Sequence, residues 1–98
     1  MENEKTIGIE AISHLLAPPK GAYEYVKSIL ESKGENPTQA AKKLDVSAST
    51  VKRLLDGGSL TTNMAAKLHN TYKMDIDTLF NIEAQAHAYE ARHIAKTA

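Results

Sequence analysis

Residues 44–55 read Leu-Asp-Val-Ser-Ala-Ser-Thr-Val-Lys-Arg-Leu-Leu. The hydroxyls of Ser47, Ser49 and Thr50 come just before the cations Lys52 and Arg53. Hydroxyls hydrogen bond at close approach, and lysine or arginine can pair with a guanine edge or grip a phosphate. At the start of a helix these residue types suit entry into the major groove of DNA, because the first turns face the base edges. Ala48 fits among them as a small contact for a thymine methyl. Spacing alone also supports a plainer reading. A Ser-capped helix held by Val51, Leu54 and Leu55 is common in helical proteins, and there Lys52 and Arg53 would be solvated charges.

Other chemistries are weakly supported. A serine or threonine nucleophile needs a nearby base and an oxyanion site, and the sequence has neither a Gly-x-Ser-x-Gly elbow nor a glycine-rich phosphate loop. No catalytic residues are expected. Of His14, His69, His87 and His93, only His93 follows Glu90 at the Glu-x-x-His spacing of carboxylate-bridged metal bundles, and such bundles require two such motifs. Glu83 with His87, and Glu90 with His93, read instead as pairs on a solvated helix face. No metal and no cofactor is expected. The chain has no cysteine, which excludes disulfides and thiolate metal sites and fits a reducing compartment. No apolar run approaches the roughly 20 residues of a membrane span, and the start, Met-Glu-Asn-Glu-Lys, is acidic. The expectation is a cytoplasmic protein with no membrane partner.

The elements that must position these residues are all helical, and alternating strand patterns are absent. Ile9, Ile12 and Leu16 mark a short helix that Pro18 and Pro19 end. Ala22, Val26, Ile29, Leu30 and Lys33 follow helical spacing up to Gly34. Asn36, Pro37 and Gln39 form a start signal with a capping box, and Ala40, Ala41 and Leu44 face inward behind it. A tight link at Asp45 and Val46 leads to Ser47 as the next N-cap, and Gly57 and Gly58 end that helix. Thr61 caps a segment with Met64, Ala65, Leu68 and Tyr72 on one side; Asp75 caps a last one with Ile76, Leu79, Phe80 and Ile82. Met64, Tyr72, Met74 and Phe80 read as core, and Tyr23, Tyr25 and Tyr89 stay open, one of them a candidate for a dimer seam. The alanine-rich end should fray, since alanine favours helix but buries little. The expected division is an extension with a short helix over 1–19, a domain over 20–82 and a helical tail over 83–98.

The formal net charge is zero, but unevenly spread. Residues 36–60 carry Lys42, Lys43, Lys52 and Arg53 against Asp45 and Asp56, a net +2; residues 75–92 carry Arg92 against Asp75, Asp77, Glu83 and Glu90, a net −3. Free amides at the helix starts near Asn36, Thr38 and Thr61 suit phosphate, with Lys42 and Lys43 adding salt-sensitive attraction.

Residues 35–68 resemble the helix-turn-helix domain of the Xre/Cro repressor family, and more narrowly the HigA-type antitoxins. Ala41, Leu44, Val46, Ser47, Thr50, Val51, Arg53, Leu54, Leu55, Gly57, Thr61, Met64 and Ala65 match the family pattern in register, and Asn81 matches farther on. Leu79 stands where that pattern has Trp, and Asp45 where it has a turn glycine; Asp can adopt the left-handed conformation needed there. The similarity covers roughly residues 21–92. It implies an all-α, lambda-repressor-like domain of five to six helices. It also implies a homodimer that binds palindromic double-stranded DNA, represses its own operon and neutralises a small ribonuclease toxin. Base-contact positions carry over to Ala48, Ser49, Lys52 and Arg53, and phosphate contacts to Asn36, Thr38, Thr50, Gly58 and Ser59. A stand-alone or phage-type regulator, or a helical protein-interaction module without specific DNA binding, are the alternatives.

Overall fold

Four side-chain caps set where most of the helices begin. In a computed structural model that describes residues 19–97, α1 spans Ala22–Ser32, α2 Pro37–Leu44, α3 Ala48–Leu55, α4 Thr62–Tyr72 and α5 Ile76–Thr97. The expected short helix at Ile9, Ile12 and Leu16, and His14, lie outside the described residues. Asn36 accepts from the Gln39 amide at 2.8 Å while Gln39 accepts from the Asn36 amide at 2.9 Å, so both arms of the capping box form. Ser47 accepts from the Thr50 amide, Thr61 from the Met64 amide and Asp75 from the Thr78 amide. Each such cap contributes about 1 kcal/mol by satisfying an orphan N–H of the first turn.

Between α2 and α3 the chain turns in the residues 45–47. Asp45 takes the left-handed conformation at φ 57° and ψ 49°. The Val46 amide returns to the Ala41 carbonyl at 3.0 Å, which closes the end of α2. Lys67, reaching across from α4, donates to the Leu44 carbonyl at 3.2 Å. A cation at a helix C-terminus opposes the negative end of its dipole.

The inward residues of all five helices meet in one core. Leu68, Met74, Leu79, Val26 and Val51 are its largest fully buried side chains. α3 packs on α2 and α1, α4 on α2, and α5 on α1 and α4. The described residues form a single all-α domain without a strand, and no described helix is long and apolar enough to cross a membrane. Met64, Tyr72 and Met74 are core, as expected. Phe80 is only half-buried, Leu55 likewise, and Ile76 at the start of α5 is exposed.

α5 runs unbroken through residues 82 and 83 to Thr97, so no break in the chain separates the expected domain from the expected tail. Beyond Glu83 only Ala86 and Tyr89 are even half-buried.

Candidate nucleic-acid interface

α3 starts at Ser47, whose hydroxyl gathers the hydroxyls around it. Its Oγ lies 2.7 Å from Thr50 Oγ1 and 3.1 Å from Ser49 Oγ. Because Val51 and Leu54 are buried, the same helix turns Ser49, Lys52 and Arg53 outward, and all three are exposed. Ala48 is different: it is half-buried and packs against the core, so only part of its methyl is open to a ligand. Among the described residues, Lys52 and Arg53 have no carboxylate within ion-pair distance.

Thr50, Arg53, Gly58, Ser59 and Thr61 line one shallow groove of about 150 Å³, with Leu54 and Met64 as its apolar members. The loop after α3 is drawn in closely. The Gly58 amide donates to the Arg53 carbonyl at 3.0 Å, and a Cβ at Gly58 would stand 2.6 Å from that oxygen, so no larger residue fits without a shift. Thr61 spends its hydroxyl lone pair on the Met64 amide at 3.1 Å, and keeps an exposed position beside Ser59.

Asn36, Thr38, Lys42 and Lys43 do not join this groove; they sit on α2 and its cap. The Asn36 amide and side-chain oxygen are both used in the capping box, which leaves its side-chain NH₂ to donate. Thr38 and Lys42 are exposed. Lys43 is already engaged, because its ammonium pairs with Glu35. Glu35 also accepts from the Tyr72 hydroxyl at 2.6 Å. The Lys43 bond, then the Tyr72 bond, hold the Glu35 carboxyl below its ordinary range. Burial, and then the Glu35 carboxylate, push the Tyr72 phenol well above its ordinary value. Lys43 therefore serves a tertiary contact first, and a phosphate would have to compete with Glu35.

The residue that sequence reasoning misplaced is Glu83. It reads as part of a solvated face with His87, and the two do approach, at 3.6 Å. Glu83 is nevertheless 7% exposed. Its carboxylate accepts from the Ala22 amide at 2.9 Å and the Leu60 amide at 2.7 Å. One signal was present: Glu83 lies four residues after Leu79, on the same helix face as a fully buried leucine. Glu90 and His93 form no ion pair; His93 stacks on Tyr89 instead, with centroids 6.5 Å apart. Among the described residues no group of three or more His, Asp or Glu side chains is placed to hold a metal ion.

No protein-family model matches the chain, and no curated protein or solved structure matches it significantly.

Proposed function

We propose that α2, the turn at residues 45–47 and α3 act as a DNA-binding helix-turn-helix, and that the chain is a dimeric, sequence-specific transcriptional repressor of the cytoplasm. The observation that carries this reading is the outer face of α3. It presents Ser49, Lys52 and Arg53 exposed, with both cations unpaired among the described residues, next to a groove that holds Thr50, Gly58, Ser59 and Thr61. Lys52 and Arg53 read base edges or phosphates, Ser49 supplies a short hydrogen bond, and the loop and the α4 start hold the backbone. Ala48 contributes a methyl contact at most. Lys42 adds long-range attraction, and Lys43 contributes less because Glu35 holds it.

Within that class the resemblance to HigA-type antitoxins supports reading the chain as the antitoxin of a toxin–antitoxin pair that represses its own operon. A protein partner has one supporting feature here: the outer part of α5 is exposed, Ile94 at 56%.

A gel shift on the chain's own upstream DNA across a salt series tests the reading. Specific binding that weakens steeply with salt is expected. Lys52→Ala or Arg53→Ala should each weaken it by about 1–3 kcal/mol if that residue reads a base. Unchanged affinity in both variants would remove α3 as the recognition helix. A small, basic, ribonuclease-like reading frame beside this one would support the antitoxin assignment, and a lone gene would favour a stand-alone regulator.

A further inference from the structure

The loop between α3 and α4 is fastened at alternate residues. Gly58 donates its amide to the Arg53 carbonyl, and Leu60 donates to the Glu83 carboxylate. Among the described residues, the amides of Ser59 and Thr61 have no intramolecular acceptor, and both residues are exposed. Ser59 and Thr61 flank Leu60, and both line the groove that also holds Arg53, so the tie from Leu60 to Glu83 sets where that wall of the groove stands. Leu60 itself is only 8% exposed, so its fastening point lies inside the molecule.

The other end of the fastening is unusual. α1 begins at Gly21, which has no side chain to cap it. Glu83, from the last helix, takes that place by accepting from Ala22 at 2.9 Å, and its negative charge suits the positive end of the α1 dipole. The approach is tight: a Cβ on Gly21 would stand 2.7 Å from Glu83 Oε1. One carboxylate therefore fixes the start of α1 with one oxygen and the residue 58–61 loop with the other.

We propose that Glu83 is a positioning residue for phosphate binding, holding the loop so that Ser59 and Thr61 stand in the groove beside Arg53. The proposal rests on the DNA-binding reading above. Glu83 touches no DNA; it acts through Leu60. The charge makes the test sharp. Glu83→Gln removes a negative charge, which by simple attraction would strengthen binding to a polyanion. It also leaves a single acceptor oxygen for two backbone N–H groups, so either the loop or the start of α1 loses its tie, and the two are no longer fixed by one group.

The experiment measures operator affinity of wild type, Glu83→Gln and a core control, Val26→Ala, at a temperature where all three are folded by circular dichroism. Amide exchange at Leu60 and Ala22 is followed in the same samples without DNA. For Glu83→Gln we expect affinity to fall by about tenfold or more with the salt slope kept, because no cation is lost, and faster exchange at Leu60, at Ala22 or at both. Val26→Ala should bind as wild type does. If Glu83→Gln does not fold, Gly21→Ala replaces it: its backbone, at φ −67° and ψ −179°, suits alanine, and the added methyl clashes with Glu83 Oε1 at 2.7 Å while meeting the Tyr23 ring at ordinary contact distance, 3.4 Å. Specific binding by wild type with undiminished affinity in the variant overturns the positioning role and leaves the repressor reading intact. Equal loss in Val26→Ala also overturns it, because the effect would then be general destabilisation. No specific binding by wild type overturns both.

Discussion

At the scale of single residues, partners chosen by the fold decide what each charge can do. Lys42 and Lys43 are neighbours in sequence, yet Lys43 is tied to Glu35 and Lys42 is open. Glu35 also shows a consequence in pH. Its folded carboxyl is held below the ordinary value of 4.5, first by Lys43 and then by Tyr72. A depressed carboxyl contributes stability that is present above its unfolded pKa and is lost as pH falls through the folded value. Asp75 shifts the same way, held by the Thr78 hydroxyl and then the Thr78 amide. Wild type should therefore lose stability as the pH drops below about 4.5. Glu35→Gln should be less stable at neutral pH and should lose less over that acid window, with Asp75 leaving a residual slope. Urea denaturation at a series of pH values checks this; parallel curves for the two proteins would show that the Glu35 contacts contribute nothing.

At the scale of elements, α5 has two roles in one helix. Its first half carries Leu79 and Glu83 into the core, and every residue from 90 to 97 is exposed. A terminal stretch of this kind has little packing to hold it, and short isolated helices are marginal in water. The fraying expected from the alanine content is thus a question of dynamics, even though the helix geometry extends to Thr97. Deleting residues 91–98 should change the unfolding free energy by no more than about 0.5–1 kcal/mol. Amide exchange in the intact chain should show protection falling off beyond Glu90. A large loss of stability on deletion would mean that the outer part of α5 is packed in solution, against a second copy or another partner. Loss of Glu83 is a different matter, because α1 and the loop before α4 would both lose their acceptor.

At the scale of the whole molecule, zero net charge hides a division of surface. The exposed cations Lys52 and Arg53 lie on α3, while α5 and its cap expose Asp75, Asp77 and Glu90. If the repressor reading holds, two copies must place two α3 helices in successive major grooves, roughly 34–36 Å apart. That spacing is a rigid requirement. Inserting about 5 base pairs, half a helical turn, between the operator half-sites should reduce binding to that of a single half-site. A gel shift on the native and expanded operators measures it directly. Equal affinity for both would mean that the copies bind independently.

Local signals in the amino-acid sequence set where α2, α3, α4 and α5 begin. Asn36, Ser47, Thr61 and Asp75 each cap a backbone amide three residues on, and the apolar spacing of α2, α3 and α4 fixes which faces turn inward. Asp45 could be read as a left-handed turn residue for the same reason. Other contacts join residues far apart in the chain and are legible only once the helices are packed. Glu83 reaches Ala22 across 61 positions and Leu60 across 23, and Tyr72 reaches Glu35 across 37. The pairing of Lys43 with Glu35, the partial burial of Ala48 and the gathering of Thr50, Arg53, Gly58, Ser59 and Thr61 around one groove have the same origin. A helical period says which way a side chain points; only the packing of helices says what it meets there.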